Sequence, residues 1–390
     1  MSGLKIVADE NIPALEETFS DLGETVRVPG RGLERGQLKD ADILLVRSVT
    51  RVDEALLAGT PVRFVGSCTI GTDHLDTDWL EAQGIAWSAA PGCNANSVVE
   101  YVFCALAALG VDWAPRLNNK EGRRFGIVGC GNVGGLLQRR LHALGIPCAV
   151  YDPWLPDNPD SADLETVLRQ EVICLHAPLV KGGPHPSLHL IGAEQLAQIG
   201  QDAALISAGR GAVVDNRALL RELRRGKRFR TVLDVWENEP DIHTELLELV
   251  DIGTPHIAGY SLDGKLAGTR MVREALDRSG LGVGEPLPPV GAAAGRDRCS
   301  EKLQVRSRPT AAPTGVVIHS RVENLLLQIY DPRADDRRLR AAAQGDLPMA
   351  KAFDQLRREY PERLEFSHYR IEDSALSEDE RRQLAILGLQ

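Results

Sequence analysis

A glycine-rich segment near the middle of the chain has the spacing of a nucleotide-binding turn. Gly129, Gly131 and Gly134 follow an apolar run and open a helical pattern, and Asp152 comes 18 residues after Gly134. Such glycines permit a tight turn and a close approach of the backbone to a pyrophosphate, while the carboxylate binds the ribose hydroxyls. A tight turn alone explains the glycines, but not the strand, the helix and the acid together. We therefore predict a dinucleotide site, for NAD rather than NADP because Asp152 repels a 2′-phosphate.

Three polar clusters farther along the chain contain the residue types needed for proton transfer and carboxylate binding. Arg210 lies between two glycines, Glu237 and Glu239 follow an apolar run, and His256 follows the next one. A histidine can accept a hydroxyl proton near neutral pH, a carboxylate can orient that histidine, and an arginine fork can bind a carboxylate. Taken singly, each residue also has a structural explanation. Together they indicate oxidation of an alcohol beside a carboxylate, and spacing does not decide between Glu237 and Glu239.

The elements that must position these residues are strands alternating with helices. Short apolar runs alternate with helical patterns through most of the chain, which predicts parallel sheets with crossover helices. We expect an α/β fold with two Rossmann-like parallel-sheet domains: a catalytic domain at 1–95, completed by 260–280, and an NAD-binding domain at 96–259. A helix over Ser97–Leu109, with Asn96 as its N-cap, is predicted where the second domain begins.

The pattern changes toward the C-terminus. Residues 281–314 are rich in Gly, Pro and Ala and predict a linker, and residues 315–390 predict a small α+β module that begins with a strand. The alternating charges of 333–340 predict a solvated helix face. We expect the module to be a dimerisation domain, because it is too small to bury apolar side chains such as Leu325 and Leu326 by itself.

Composition excludes several classes of protein. The 390 residues are 43% hydrophobic and 26% charged, as in folded enzymes, and are too many for one ordinary domain. A net charge of −10 argues against a dedicated nucleic-acid binder. We find neither a signal segment nor an apolar stretch of about 20 residues, and so expect no membrane association. The seven cysteines show no metal-binding spacing, which predicts reduced core residues, no metal site and a cytoplasmic protein.

Several segments together resemble the D-2-hydroxyacid dehydrogenase family. They include LLVRSVT, GTDHLD, AAPGCNANSVVEYVF, GIVGCGNVGG, RGAVVDN, LDVWENEP and DIGTPHIAGY. The likeness covers about 1–280 strongly and 315–370 more loosely. It implies an NAD-dependent oxidoreductase that acts on a small phosphorylated 2-hydroxy acid and that forms a homodimer through its C-terminal domain.

The resemblance also implies roles for individual residues. The catalytic set is Arg210, Glu239 and His256, with His256 as proton donor or acceptor. Substrate contacts fall on Ser48, Thr69 and Tyr260. Contacts with NAD come from the glycine-rich turn and from later strand ends, namely Gly129, Gly131, Asn132, Val133, Gly134, Asp152, Ala177, Ala208, Asp234 and Gly259.

The chain departs from the family pattern near the catalytic arginine. Ser207 and Gly209 stand where Asn and Cys are expected, and Ala177 replaces a Thr, which removes a side-chain hydroxyl contact to the cofactor. Arg47 is a candidate for binding the substrate phosphate. The alternatives are another dehydrogenase of the family, such as one acting on 3-phosphoglycerate, and an NAD-sensing, corepressor-like binding protein of the same fold.

Overall fold

Two units make up the chain. A computed structural model describes residues 3–111, 124–226, 229–281, 303–305, 321–372 and 374–389. One unit comprises Met1–Asn94 and Tyr260–Glu301, and the other comprises Ala95–Gly259 and Lys302–Gln390. Almost all of the predicted linker, 281–314, lies outside the described residues. Among the described residues, none of the helices has both the length and the apolar character needed to span a membrane.

The first unit contains a five-stranded parallel sheet with the strand order β2-β1-β3-β4-β5. Its elements up to residue 94 are β1 (Leu4–Asp9), α1 (Leu15–Phe19), β2 (Gly23–Val28), β3 (Ile43–Val46), α2 (Glu54–Leu57), β4 (Phe64–Ser67), α3 (Thr77–Ala82) and β5 (Ala86–Ser88). β3 and β4 are buried along their whole length, as the central strands of a sheet covered on both faces must be. The sequence does not predict β2, because this edge strand is mostly polar and partly exposed.

The second unit contains a six-stranded parallel sheet with the order β11-β10-β9-β8-β6-β7. Its elements up to residue 259 are α4 (Ala95–Ala108), β6 (Phe125–Val128), α5 (Asn132–Ala143), β7 (Cys148–Tyr151), α6 (Leu164–Leu168), β8 (Val172–Leu175), α7 (Ala193–Gln198), β9 (Ala204–Ser207), α8 (Asn216–Arg224), β10 (Arg230–Leu233), α9 (Thr244–Leu249) and β11 (Ile252–Gly253). The strand order reverses between β6 and β8, which marks the ligand-binding crevice of such sheets. The predicted α/β class with two parallel sheets is confirmed.

Helix α4 differs from the prediction at its start. It begins at Ala95, so Asn96 lies inside the helix and its assignment as N-cap is wrong. The Asn96 amide instead donates to Glu100 at 2.9 Å and to Glu365 at 2.6 Å, and its oxygen accepts from Arg140. Burial and the neighbouring Glu365 carboxylate raise the pKa of Glu100 to about 8. This polar cluster ties α4 to the C-terminal part of the chain.

Helix α10 (Leu262–Arg278) returns the chain to the first unit and begins at the N-cap Ser261. Its Arg273 side chain is buried and forms two hydrogen bonds to Asp21, at 2.6 and 2.7 Å. A Cβ on Gly66 of β4 would lie only 2.3 Å from Val272, so the helix packs tightly on the sheet at that point. These contacts integrate α10 with the N-terminal strands.

The described residues of the C-terminal part add four helices and a small parallel sheet. Their elements are β12 (Leu303–Val305), α11 (Arg321–Ile329), α12 (Arg333–Ala343), α13 (Met349–Arg358), β13 (Tyr369–Ile371) and α14 (Glu378–Leu387), with β12 paired to β13. Leu325 and Leu326 are fully buried within one chain, where α11 packs on α4. The expectation that these side chains need a second chain to cover them is therefore wrong. The strand predicted at 315–319 lies outside the described residues.

Helix α12 corrects part of a prediction: Arg337 and Arg338 are exposed, as on a solvated face, but other charged residues of the helix are not. Asp336 is buried and accepts a hydrogen bond of 2.7 Å from the backbone N–H of Gly253 in the edge strand β11. Arg340 donates to Asp336 and to two carbonyl oxygens at the end of α9. The helix thus satisfies backbone groups at the edge of the six-stranded sheet.

Candidate active site

Most of the predicted site residues of the second unit follow strands of the six-stranded sheet. They are Gly129–Gly134 after β6, Asp152 after β7, Ala177 after β8, Ala208 and Arg210 after β9, Asp234 and Glu239 after β10, and His256 after β11. Because the strands are parallel, their carboxyl ends meet at one edge of the sheet. The fold therefore brings the predicted catalytic and cofactor residues of this unit to a common edge.

The glycine-rich turn has the geometry that a bound dinucleotide requires. Gly129 has a φ of +83°, and a Cβ there would lie 2.6 Å from the backbone of Ala177. A Cβ on Gly134 would lie 2.0 Å from the Gly129 oxygen, so α5 packs directly on the turn. At Gly131 a Cβ would meet no protein atom within 4 Å, and Gly131 and Asn132 are exposed at the start of α5. The turn leaves open the space in which a pyrophosphate binds.

Asp152 is positioned by the same turn. One carboxylate oxygen accepts a hydrogen bond of 2.8 Å from the N–H of Cys130, and the other accepts one of 3.0 Å from Trp154. The side chain is partly exposed and keeps unused lone pairs for hydroxyl donors. The turn, Val133 in the first turn of α5 and Asp152 together fit an NAD molecule.

His256 and Glu239 form a hydrogen-bonded pair. The Nδ1 atom of His256 lies 2.7 Å from Oε2 of Glu239, and the other carboxylate oxygen accepts from the N–H of Trp236 at 2.7 Å. Burial would raise the pKa of Glu239, but the nearby His256 and these hydrogen bonds outweigh it and hold the pKa below its ordinary value. Glu239 is therefore ionised and fixes His256 with Nε2 available for a proton.

Asp234 holds the backbone that carries His256. Its buried carboxylate accepts hydrogen bonds from the N–H groups of Ile257 and Ala258 and from the hydroxyl of Thr254, at 2.7–3.0 Å. Burial is the largest influence on this group and raises its pKa, although the hydrogen bonds oppose the shift. His256 itself has a φ of +57°, a left-handed conformation that needs such support. Asp234 thus has a structural role besides its predicted contact with NAD.

The two carboxylates that spacing could not separate have different partners. Glu237 lies 2.7 Å from His189 and accepts a hydrogen bond from the backbone N–H of Asn216. The structure therefore places Glu239, and not Glu237, against His256. A Cβ on Gly211 would lie 1.9 Å from the carbonyl oxygen of Trp236, so the loop carrying Arg210 packs directly on the loop carrying both glutamates.

The substrate residues predicted at Ser48, Thr69 and Tyr260 belong to the first unit. Ser48 follows β3 and is exposed, and the Thr69 hydroxyl lies 2.9 Å from that of Ser67 at the end of β4. Two cations lie over the Tyr260 ring, with Arg47 6.0 Å and Lys265 5.0 Å from its centroid. Lys265, on α10, was not predicted: it lies five residues after Tyr260, and the sequence alone does not show that its side chain reaches the Tyr260 ring.

Comparison with known proteins decides the family. Residues 110–258 match the family model of the D-isomer specific 2-hydroxyacid dehydrogenase NAD-binding domain, and 305–388 match a domain of unknown function. The chain is 50% identical to the erythronate-4-phosphate dehydrogenase of Cellvibrio japonicus and 45% identical to that of Azotobacter vinelandii, with 99% of each chain covered in both cases. The chain belongs to the erythronate-4-phosphate dehydrogenase family.

Solved structures of more distant proteins share the fold of this erythronate-4-phosphate dehydrogenase family member. The NAD-bound 3-phosphoglycerate dehydrogenase of Entamoeba histolytica is 22% identical, with a TM-score of 0.58 over 73% of this chain and 98% of its own. The D-lactate dehydrogenase of Aquifex aeolicus is 24% identical, with a TM-score of 0.56 over 71% and 96% of the two chains. The chain therefore has the same α/β fold as these dehydrogenases.

Two of the three departures from the family pattern, Gly209 and Ala177, lie against each other. A Cβ on Gly209 would lie 2.8 Å from the carbonyl oxygen of Ala177, so the two loops after β8 and β9 touch where both have small residues. The backbone N–H of Ala208 donates to Leu175 at 3.1 Å in the same place. Ser207, the third departure, is buried at the end of β9. Side-chain bulk at Gly209 would push the loops apart.

Sequence patterns do not predict three further features of the second unit. The ring nitrogens of His176 are shielded from solvent and have no hydrogen-bond partner among the described residues, and burial lowers the pKa of this histidine to about 4. In each of two groups of side chains, three atoms that could bind a metal lie within 4.8 Å of one another. One group is His142, Cys148 and Asp160, and the other is His189, Asp215 and Glu237. The members of each group come from separate elements, so spacing gives no signal, and in each group the histidine already contacts a carboxylate.

Proposed function

We propose that this protein oxidises the C2 hydroxyl of 4-phospho-D-erythronate to give (R)-3-hydroxy-2-oxo-4-phosphooxybutanoate, with NAD as oxidant, in vitamin B6 (pyridoxal 5′-phosphate) biosynthesis. The observation that carries the proposal is the contact of 2.7 Å between His256 Nδ1 and Glu239 Oε2, at the sheet edge that also holds the glycine-rich turn. The choice of substrate is supported by the relatives that are named erythronate-4-phosphate dehydrogenase.

His256 is the base of the proposed reaction. Its Nε2 takes the proton of the substrate hydroxyl, and the ionised Glu239 stabilises the imidazolium that forms. Arg210 follows β9 at the same edge, and its guanidinium binds the substrate carboxylate and the developing carbonyl oxygen. Bound NAD supplies the chemistry of hydride acceptance.

The proposed cofactor contacts divide between two regions of the sheet edge. The glycine-rich turn and Val133 contact the pyrophosphate, and Asp152 contacts the ribose. Contacts nearer the reacting carbon come from the loops after β8 to β11, at Ala177, Ala208, Asp234 and Gly259.

The proposed substrate contacts in the first unit are Ser48, Thr69 and Tyr260. Arg47 and Lys265, both over the Tyr260 ring, give this group a positive charge that suits a phosphate. Hydroxyl groups and cations together are the donors that recognise a phosphorylated hydroxy acid.

A panel of substrates tests the proposed function. NADH absorbance would be followed with 4-phospho-D-erythronate, 3-phospho-D-glycerate, D-lactate and unphosphorylated D-erythronate. We expect kcat/KM for 4-phospho-D-erythronate to exceed the others by about 10²-fold or more, because a site whose polar groups bind each polar group of its substrate rejects a ligand that leaves some of them unpaired. Faster turnover of 3-phospho-D-glycerate would contradict the substrate assignment. NAD binding without turnover of any of these acids would favour the corepressor-like alternative.

Asp152 tests the choice of cofactor. The intact protein should prefer NAD over NADP. Asp152→Ala should lower the ratio of kcat/KM for NAD to that for NADP, because the variant binds NAD more weakly and no longer repels the 2′-phosphate. Steady-state kinetics with both cofactors measures the ratio. Asp157→Ala, which removes an exposed carboxylate of the same loop, is the control and should leave the ratio unchanged. Equal use of the two cofactors by the unmodified protein would contradict the role of Asp152.

We also propose that two chains form a homodimer through residues 315–390 and that the protein is cytoplasmic. The resemblance to the family supports the dimer, as does the exposed Leu347 between α12 and α13. The cytoplasmic location is supported by the cysteines, none of which forms a disulfide among the described residues. Sedimentation velocity on the full chain should give twice the chain mass at micromolar concentration. A monomer at all concentrations would exclude the dimer.

A further inference from the structure

Arg363, in the segment between α13 and β13, contacts the backbone that carries His256. Its Nη2 donates to the carbonyl oxygen of Ala258, two residues after His256, and to the hydroxyl of Ser97. The Ser97 hydroxyl also donates to the Ala258 oxygen, at 2.9 Å. One guanidinium group therefore links α4, the histidine-bearing segment and the C-terminal part of the same chain.

The segment around Arg363 is itself held firmly. The N–H of Phe366 donates to Glu100 at 3.0 Å, and Glu365 accepts from Asn96 at 2.6 Å. The guanidinium of Arg363 lies over the ring of Tyr330 with a distance of 4.5 Å to the centroid, a cation–π contact. These contacts fix the orientation of the Arg363 side chain. The guanidinium keeps its positive charge in this environment.

Asp234 and Arg363 both hold the backbone of Ala258, one at its N–H group and the other at its carbonyl oxygen. Asp234 accepts from the N–H of Ala258, and Arg363 donates to the carbonyl oxygen of that residue. His256 has a φ of +57°, so its conformation depends on contacts of this kind. A shift of about 1 Å in a catalytic group can lower turnover by about 10²-fold.

We propose that Arg363 is a positioning residue, which holds the segment after β11 so that His256 faces Glu239 and the substrate. The C-terminal part of the chain thereby takes part in the reaction in cis, in addition to any role in dimerisation. This inference rests on the proposed function for its kinetic readout only.

Arg340 provides a matched control. It is also a partly buried arginine of the C-terminal part, and it donates to two backbone carbonyl groups of the same unit, but these lie at the end of α9. Loss of either guanidinium removes a comparable set of hydrogen bonds. Loss of Arg340 acts on the end of α9 and, through Asp336, on Gly253 before His256, whereas loss of Arg363 removes the hydrogen bond to Ala258, after His256.

The kinetic experiment compares Arg363→Met with Arg340→Met. We expect Arg363→Met to lower kcat by about 10- to 100-fold while the Kd for NAD changes by less than about twofold, since the glycine-rich turn is untouched. Arg340→Met should lower the melting temperature but leave kcat within about threefold. Equal losses of kcat in the two variants, or full kcat in Arg363→Met, would overturn the proposal. If Arg363→Met does not fold, Arg363→Lys replaces it in the experiment. We expect Arg363→Lys to lose part of its kcat, and an unchanged kcat would overturn the proposal.

A second readout does not depend on any substrate. In the NAD-free protein labelled with ¹⁵N-histidine, the Nδ1–H proton bonded to Glu239 should give a downfield NMR signal, assigned by its loss in His256→Ala. We expect the signal to persist in Arg340→Met and to shift or broaden in Arg363→Met. An unchanged signal in Arg363→Met would overturn the proposal. Failure of the proposed function would appear instead as absent turnover in the unmodified protein, with the NMR comparison unaffected.

Discussion

His256→Ala is expected to lower kcat by ~10²–10⁴-fold while NAD binding is retained, because the variant loses its base but keeps the glycine-rich turn. Calorimetry with NAD and steady-state kinetics with 4-phospho-D-erythronate measure the two effects. His189→Ala is a matched control, since His189 also lies 2.7 Å from a carboxylate in the same unit. The control should keep kcat within about threefold. Near-normal turnover in His256→Ala at neutral pH would remove His256 from the mechanism.

Glu239→Gln is expected to lower kcat and to move the acidic limb of the pH–rate profile to lower pH. The carboxylate orients His256 and supplies the counter-charge of the imidazolium, so an amide makes protonation of the base less favourable. Because Glu239 acts through His256, the double variant should be scarcely slower than His256→Ala alone. Glu237→Gln is the control and should leave the pH profile in place. Additive losses in the double variant would show that the two residues act separately.

The parallel sheets follow from local sequence, because buried parallel strands are short apolar runs. β3 and β6 begin and end where those runs do. β2 escapes detection because an edge strand needs no continuous apolar run. Asn96 looks like an N-cap but lies inside α4, where Glu100 and Glu365 bind its side chain, and only the folded chain brings Glu365 there.

The sequence predicts which loops carry the residues of the candidate site. It does not predict which of these side chains contact one another. His256 and Arg210 each follow an apolar run, and parallel strands deliver such residues to one edge. The choice between Glu237 and Glu239 depends on turn geometry, which spacing does not determine. Motif analysis does not find Arg363, because it contacts Ser97 and Ala258, which are distant in sequence, and it does not find Lys265, because a lysine in a helix gives no signal of the ring that it covers.

The C-terminal part shows how a charge pattern can mislead. Alternating signs in 333–340 are typical of a solvated helix face, yet Asp336 and Arg340 satisfy backbone groups of β11 and α9. The apolar Leu325 and Leu326 of the preceding helix are covered by α4 rather than by a second chain. Residues that follow the linker in sequence therefore belong to the unit that holds the hydrogen-bonded pair of His256 and Glu239.

In the proposed reaction, hydride passes from C2 of the substrate to NAD. The most direct test uses 4-phospho-D-erythronate with deuterium at C2 and mass spectrometry of the NADH and the acid that are formed. We predict that the deuterium appears in NADH and that the acid is the 2-oxo product. NADH without deuterium, or recovery of the labelled substrate unchanged in the presence of NAD and active protein, would contradict the account.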